Sequence, residues 1–263
     1  MGSLIRFACE GQTLVGTLDE GRAATGLLIV SGGSEIRSGA HGGMAALARR
    51  IAARGLPVFR YDRRGVGDSE GDDPGFAGSL PDLAAAVAAF RTHCPHLERL
   101  VAFGNCDAAT TLALNHRAVG IDALILANPW VVEPAGDMPP PAAIRRRYRD
   151  KLLSIEGWKR LLTLQVDFRQ ILKGVRRAST AGITELGLAV AKALGVSNAP
   201  LTIVLAEGDA TAIAFEDAWK TSLFDRPRGH AHVFRVPSRS HSFARVEDAE
   251  RLYGAVMEAL ARR

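Results

Sequence analysis

The stretch Gly104-Asn105-Cys106-Asp107-Ala108 decides the fold of this chain. It follows a short apolar run, Leu100 to Phe103, and precedes a helical pattern, Ala109 to His116. A strand that turns sharply into a helix, with a nucleophilic residue at the turn and small residues two positions before and after it, is typical of a nucleophile elbow. Gly104 and Ala108 are small because the flanking chains nearly touch there. A buried free cysteine is the alternative, and considered alone it is the more common one.

The composition is that of one large α/β domain, because 263 residues with 47% hydrophobic and 23% charged residues can bury a sizeable core. No window approaches the ~18 apolar residues of a membrane span, and Met1 to Glu10 lacks the apolar core of a secretory signal. Three cysteines at unrelated spacings disfavour a disulfide framework or a zinc site and favour a reducing compartment. We therefore expect a cytoplasmic protein without a metal or cofactor.

Short apolar runs alternate with helical patterns along most of the chain. Ile5 to Ala8 and Leu14 to Leu18 predict an opening hairpin. Six further strands are predicted at 27–31, 57–61, 99–103, 123–127, 201–206 and 232–236, with helices at 41–54, 80–90, 212–223 and 246–262. Strands that alternate with helices predict an α/β fold with a mostly parallel, eight-stranded sheet covered on both faces.

The alternation stops after the sixth strand. Residues 131–199 show no good strand pattern, and a proline-rich entry, Pro134 to Pro141, leads into helical stretches near 142–154, 156–177 and 183–194. We predict a core formed by residues 1–130 and 200–263 and a helical cap formed by residues 131–199, which covers the carboxyl edge of the sheet.

Two polar loops follow the last two predicted strands. Glu207-Gly208-Asp209 follows one strand, and Pro237-Ser238-Arg239-Ser240-His241 follows the other. Open α/β sheets build their sites at the carboxyl ends of strands, and a nucleophile elbow is completed by an acid and then a histidine in chain order. The predicted catalytic residues are Cys106, Asp209 and His241.

Each choice within these loops has an alternative. Asp209 is preferred to Glu207 as the acid because it lies deeper in the loop, past a glycine. His241 is preferred to His230 and His232, which precede or begin the last strand. Alone, either residue is more often a solvated loop side chain, and their arrival in order at two strand ends favours the catalytic interpretation.

Two backbone N–H groups are predicted to form an oxyanion hole. One belongs to Asp107, and the other to Gly33, with Ser34 as second choice, although a plain strand-to-helix turn also explains the glycines there. Glu35 is either an exposed loop charge or a carboxylate that adjusts the ionisation of the thiol. The candidate substrate-binding residues are Glu35, Trp130 and Trp158.

Together, the elbow, the late acid and histidine, and the helical insertion resemble the α/β-hydrolase superfamily over nearly the whole chain. Tyr61 to Gly71 (YDRRGVGDSEG), the elbow at 104–108 and Tyr148 to Leu162 more narrowly resemble the hydrolases encoded beside exosortase A in exopolysaccharide loci. The cysteine-centred elbow is also similar to dienelactone hydrolases and polyhydroxyalkanoate synthases. Cys106 replaces the usual serine, which disfavours ordinary lipase or esterase activity. Ala108 replaces the usual final glycine and is small enough to keep the elbow.

A cysteine at the elbow predicts covalent catalysis. A free thiol titrates near ~8.5, and an imidazolium or a helix N-terminus lowers that value. Attack on an acyl carbonyl gives a thioester acyl-enzyme, which water or another acceptor resolves. Three functions remain open: an acyl hydrolase for activated esters, lactones or thioesters, an acyltransferase that uses the same thiol, and a non-catalytic binding protein of this fold.

The basic charge of the chain is concentrated in the predicted cap. Residues 144–177 contain eleven Lys and Arg against three Asp and Glu, a net charge of +8 in a chain whose net charge is +5. This concentration disfavours nucleic acid as the partner. A solvated helix face explains the charge in the simplest way, and an anionic or lipid-like acyl substrate or peripheral contact with an acidic membrane are the alternatives.

Overall fold

A computed structural model describes residues 2–131 and 184–262, in which eight strands form one sheet. Their bounds are β1 Ser3–Cys9, β2 Gln12–Asp19, β3 Thr25–Val30, β4 Val58–Asp62, β5 Arg99–Asn105, β6 Ala123–Ala127, β7 Leu201–Ala206 and β8 His232–Val236. The order across the sheet is β1-β2-β4-β3-β5-β6-β7-β8. The β1–β2 and β2–β4 pairs are antiparallel and the other five pairs are parallel. The predicted eight-stranded, mostly parallel sheet is confirmed.

Seven α-helices occur in the described residues and are numbered in chain order. Their bounds are α1 Gly43–Ala52, α2 Leu80–His93, α3 Asp107–Asn115, α4 Glu185–Gly195, α5 Ala210–Trp219, α6 Asp225–Arg228 and α7 Val246–Ala261. None of these helices is long and apolar enough to cross a bilayer.

The central strands are apolar at nearly every position because helices cover both faces of the sheet. On one face, Leu27, Ile29 and Phe103 belong to a core cluster with residues of α1 and α7 such as Ile51 and Val256, all fully buried. On the other face, α2 contacts β1 and β2, and α3 contacts β5 and β6. Each such side chain contributes about 1.5–3 kcal/mol by leaving water. The predicted α/β-hydrolase fold is confirmed.

The helix predicted at 212–223 ends early, at Trp219. A 3₁₀ turn at Ser222–Phe224 and the short α6 follow it. The turn brings Phe224, which is fully buried, against Phe215 and Trp219, with ring centroids 6.0 and 5.3 Å away. Burial of this aromatic cluster outweighs the local helical pattern at the end of the segment.

The predicted cap lies mainly outside the described residues, and its extent stays a prediction. Within the described part of residues 131–199, α4 packs against α3 and buries Val190 and Leu194. The chain just after it is tied to α3 by a hydrogen bond between His116 Nε2 and Ser197 Oγ, at 2.8 Å.

Candidate active site

Cys106 lies at the apex of a sharp turn between β5 and α3. Its backbone has φ 62° and ψ −126°, which is unusual for any residue other than glycine. The Cys106 N–H donates to the Ala127 carbonyl at 3.0 Å, and the Cys106 carbonyl accepts the N–H of Trp130 at 3.2 Å. The end of β6 and the residues after it therefore hold the strained backbone in place. Cys106 itself is partly exposed, whereas the other two cysteines, Cys9 and Cys94, are buried.

The small residues around Cys106 have a steric reason. A Cβ atom at Gly104 would lie 2.8 Å from the carbonyl carbon of Ala108, closer than real contacts allow. Ala108 is itself only 1% exposed. The predicted strand–turn–helix geometry at 104–108 is present.

Asp209 and His241 lie together beside Cys106. The carboxylate of Asp209 accepts a hydrogen bond from His241 Nδ1 at 3.0 Å, with Oδ2 as the acceptor. The same oxygen accepts the N–H of Ala212 at 3.1 Å, because Asp209 is the N-cap of α5. The Cys106 thiol lies near enough to the His241 imidazole to raise the pKa of that imidazole. The structure therefore brings the three residues together in the order thiol, imidazole, carboxylate.

The His241 imidazole is held in its charged form by these neighbours. Burial lowers the pKa of His241, but the hydrogen bonds to Asp209 and to Cys106 outweigh burial and raise the pKa to about 10. An imidazolium at neutral pH favours a thiolate next to it, whereas it is a poor acceptor for a proton from a hydroxyl group.

The loops that carry Asp209 and His241 are fastened to each other. The N–H of Gly208 donates to the Ser238 carbonyl at 2.8 Å, and the N–H of Glu207 donates to the Val236 carbonyl at 2.9 Å. A Cβ atom at Gly208 would lie 2.6 Å from the Arg239 side chain, so only glycine allows this close approach. These bonds extend the β7–β8 pairing and bring the two polar loops side by side.

The predicted oxyanion loop lies on the other side of Cys106. The N–H of Gly33 donates to the carboxylate of Asp107 at 2.7 Å, so its hydrogen bond is used within the protein. Ser34 is exposed next to it. Asp107 is the first residue of α3, and its own N–H therefore lies at the helix N-terminus. The loop and the helix start are adjacent as predicted, and the bond between them was not predicted.

A buried arginine supports this loop and was missed by the sequence analysis. The guanidinium of Arg63, only 8% exposed, donates to the carbonyl of Gly33 and lies 3.3 Å from Asp73. Arg63 belongs to the segment 61–71, whose neighbouring Asp62 accepts the N–H of Arg37 at 2.5 Å. The available signal was the pair Arg63-Arg64 close after a predicted strand, since a charge placed at a strand end of a covered sheet is usually paired.

The structure describes two of the three residues that were predicted to bind substrate. Glu35 is exposed, accepts the Ala40 N–H at 3.3 Å, and lines a narrow cavity that also contacts Ala108. Trp130 follows β6, and its backbone is bonded to the Cys106 carbonyl. Trp158 lies outside the described residues. In the part of the chain that the structure covers, no group of three or more His, Cys, Asp or Glu side chains is arranged to hold a metal ion.

Comparisons with known structures agree with this fold. The Pyrococcus furiosus esterase Pf2001 is 15% identical, with a TM-score of 0.67 over 99% of this chain and 89% of its own. DcsB, solved with a substrate analogue, is 14% identical, with a TM-score of 0.66 over 99% of both chains. The thioesterase domain from the curacin biosynthetic pathway is 15% identical, with a TM-score of 0.61 over 98% of this chain and 99% of its own. At these identities the likeness shows the fold alone.

Sequence comparison identifies the family. No curated protein sequence matches the chain significantly. The profile of the Hydrolase_4 family, described as serine aminopeptidase, S33, matches residues 25–162, which contain β3 to β6 and the elbow. Since this match spans more than half of the chain, the protein belongs to the Hydrolase_4 (serine aminopeptidase, S33) family and is an enzyme of the α/β-hydrolase superfamily.

Proposed function

We propose that the protein is a cysteine-dependent acyl hydrolase that acts on activated esters, lactones or thioesters through Cys106, His241 and Asp209. One observation carries the proposal. The His241 imidazole hydrogen-bonds to the Asp209 carboxylate and has its pKa raised by the nearby thiol of Cys106, which lies at the strained apex of the elbow. A nucleophile, a base and a group that orients the base are the parts required for covalent acyl transfer.

The first half of the reaction forms a thioester. In the resting pair the proton already lies on His241, and the Cys106 thiolate attacks the acyl carbonyl carbon, whose oxygen becomes the oxyanion. The N–H of Asp107, together with that of Gly33 or Ser34, stabilises this charge. When the carbonyl re-forms, the leaving group departs with the proton from His241, and the acyl group stays on sulfur.

The second half releases the acid. His241 takes a proton from water, the resulting hydroxide attacks the thioester carbonyl, and the Cys106 thiolate leaves. Asp209 holds the imidazole by its Nδ1 throughout both steps. Because a thiolate is a better leaving group than an alkoxide, the first tetrahedral adduct returns to substrate unless the substrate carries a good leaving group. Activated esters, lactones and thioesters meet this requirement.

The family description names a serine enzyme, whereas this chain has a cysteine at the elbow. The raised pKa of His241, to which Cys106 itself contributes, fits the cysteine chemistry because an imidazolium stabilises a neighbouring thiolate. The elbow and the segment 61–71 resemble hydrolases encoded beside exosortase A, so we place the activity with exopolysaccharide formation, in a reducing compartment such as the cytoplasm.

The test replaces the nucleophile in two ways. With p-nitrophenyl butyrate and a butyryl thioester as probes, Cys106→Ala should lose activity on the order of 10⁶-fold. Cys106→Ser should also be nearly inactive at neutral pH, because a hydroxyl group does not form the ion pair with His241 that a thiol can form. Cys94→Ala, which removes a buried thiol, is the matched control and should keep full turnover if folded. Full activity in Cys106→Ala would end the proposal.

The same thiol also allows an acyltransferase, and the products separate the two activities. Butyrate should remain the main product when an alcohol or amine acceptor is added in excess over the ester. If the acyl group goes mainly to the acceptor, the enzyme is a transferase. The non-catalytic alternative predicts that iodoacetamide labels Cys106 with the pH dependence of an ordinary thiol, centred near ~8.5.

We further propose that the substrate is anionic and that the basic segment 144–177 selects it. Eleven Lys and Arg residues against three acidic ones favour a negative acyl compound through long-range attraction, which salt screens over ~8 Å at physiological ionic strength. Replacing Arg145, Arg146 and Arg147 by Gln should raise KM for an anionic ester, such as a succinyl ester, and leave KM for the neutral butyryl ester unchanged. Equal KM changes for both esters would support a solvated face or a membrane contact instead.

A further inference from the structure

The side chains of Asn105 and Asn128 join the ends of β5, β6 and β7 to the loop that carries His241. Asn128, fully buried, follows β6 directly and has φ 41°. Its Nδ2 donates to Asn105 Oδ1 at 3.1 Å and to the His241 carbonyl at 3.2 Å. Its Oδ1 accepts the N–H of Ala206, the last residue of β7, at 2.9 Å. Asn105, the last residue of β5, donates its own Nδ2 to the same His241 carbonyl at 3.1 Å.

We propose that Asn105 and Asn128 are positioning residues that fix the backbone of His241, and through it the imidazole, relative to the Cys106 thiol. The inference rests on the proposed function, in which His241 exchanges protons with Cys106. Neither amide contacts the thiol or the imidazole in the bonds described above, so both act through the backbone of the histidine loop.

The bonds from the two asparagines to the His241 carbonyl are suited to this task because they connect the histidine backbone to the chain next to the nucleophile. Asn105 is the residue immediately before Cys106. The side chain that bonds to the His241 backbone and the side chain that carries the thiol therefore belong to adjacent residues. The His241 carbonyl has two lone pairs and accepts one amide donor from each asparagine. A shift of the histidine loop would therefore break two partly buried hydrogen bonds at once.

Only an amide fits at position 128. The side chain uses both N–H hydrogens and its oxygen, in bonds to three different strand ends or loops. A carboxylate would keep the bond from the Ala206 N–H but would lose both donors, and an apolar residue would leave buried polar groups unpaired. The positive φ of Asn128 adds a second restriction, since asparagine and glycine tolerate this conformation better than most residues.

The positive φ also makes a sharp experiment possible. Asn128→Gly removes the amide while it keeps a residue that accepts φ 41°, so backbone strain is not added. Asn105→Ala removes the other donor and is the second variant, in case Asn128→Gly folds poorly. Asn115→Ala is the matched control, because Asn115 donates its Nδ2 to the Thr111 carbonyl within α3, at 2.9 Å.

Two measurements distinguish positioning from general support of the fold. With p-nitrophenyl butyrate, Asn128→Gly and Asn105→Ala should lower kcat by about 10- to 100-fold, the effect of a displacement on the order of 1 Å, and change KM little. In both variants, the pH dependence of iodoacetamide alkylation at Cys106 should move toward that of an ordinary thiol near ~8.5. Asn115→Ala should change neither quantity.

The outcomes separate the inference from the proposed function. If folded Asn128→Gly and Asn105→Ala lose thermal stability but keep the wild-type kcat and alkylation profile, the asparagines only stabilise the fold and the inference is wrong. If His241→Ala also leaves the alkylation profile of Cys106 unchanged, the imidazole does not serve the thiol and the proposed function itself fails.

Discussion

The two loops that flank Cys106 differ in what their polar groups bond to. On the histidine side, the imidazole of His241 is bonded to Asp209, and its backbone carbonyl is bonded to Asn105 and Asn128. On the oxyanion side, the N–H of Gly33, which should bind substrate, is instead bonded to the Asp107 carboxylate at 2.7 Å. One side already has the bonds that the reaction needs, and the other has a bond that the reaction must replace.

This difference follows from which charges each side has to handle. The imidazolium exists in the free enzyme, so the protein can bond to it permanently with a carboxylate. The oxyanion exists only during the reaction, and in its absence a backbone N–H at the site finds another acceptor. Asp107 supplies that acceptor from the start of α3. The two sides should therefore respond to substitution in opposite directions.

The largest effect is expected on the histidine side, from His241→Ala. Without the imidazolium, the thiolate loses the cation that stabilises it and the leaving group loses its proton donor, so kcat/KM should fall on the order of 10⁴- to 10⁶-fold. The measurement is hydrolysis of p-nitrophenyl butyrate, with circular dichroism as the check on folding. His230→Ala is the matched control because His230 lies in the turn before β8, and it should keep wild-type activity. An active His241→Ala variant would show that the histidine side does not serve the reaction, and the comparison between the two sides would be wrong.

A smaller effect is expected from Asp209→Asn, which keeps the shape of the acid and removes its charge. The hydrogen bond that His241 donates to the Asp209 carboxylate, and the charge of that carboxylate, help to raise the pKa of His241 to about 10, so loss of the charge should lower that pKa. The imidazolium is present below its pKa and lost above it, and the alkaline limit of activity should therefore move to lower pH. At neutral pH kcat should fall about 10- to 100-fold, less than for His241→Ala, because a thiol–imidazole pair depends less on a third member.

Glu207→Gln is the control for that experiment. Glu207 lies in the same loop two residues earlier, and its charge should not affect the pH limit. A silent Asp209→Asn together with an inactive Glu207→Gln would show that the wrong carboxylate had been assigned.

The sequence predicted the fold and the members of the candidate triad because both depend on local patterns. Strand runs, helix spacing and a small–nucleophile–small turn are visible in the residues themselves, and β6, for example, has the predicted bounds, 123–127. Asp209 and His241 could be chosen because strand ends of a parallel sheet meet at one edge. The end of α5 was mispredicted because the aromatic contact of Phe224 with Trp219 depends on tertiary structure.

The supporting contacts could not be predicted for a related reason. The bond between Gly33 and Asp107 joins residues 74 positions apart, and that between Asn128 and the His241 carbonyl joins residues 113 positions apart. Nothing in the local sequence states which polar group a given amide or carboxylate will meet. The sequence therefore identifies the residues that can react, whereas only the structure shows what holds them.

The smallest effect, and the one of opposite sign, is expected on the oxyanion side from Asp107→Ala. A substrate carbonyl that binds to the Gly33 N–H must first displace the Asp107 carboxylate. A net hydrogen bond contributes about 1 kcal/mol, which corresponds to roughly a fivefold change in rate. Removing the carboxylate should therefore raise kcat/KM for p-nitrophenyl butyrate by about that factor, even though loss of an acid from the first turn of α3 should destabilise the helix by about 0.3–1 kcal/mol.

Asp107→Asn provides the matched control, since its amide oxygen still accepts the Gly33 N–H but carries no charge. Its kcat/KM should lie between those of the wild type and Asp107→Ala, because a neutral acceptor is displaced more easily than a carboxylate. Binding of butyraldehyde, which forms a tetrahedral adduct with the thiol, should tighten in the same order. A tenfold loss of activity in a folded Asp107→Ala variant would mean that the carboxylate supports the reaction by fixing the Gly33 loop. The histidine loop and the Gly33 loop would then both have their reactive geometry before substrate binds.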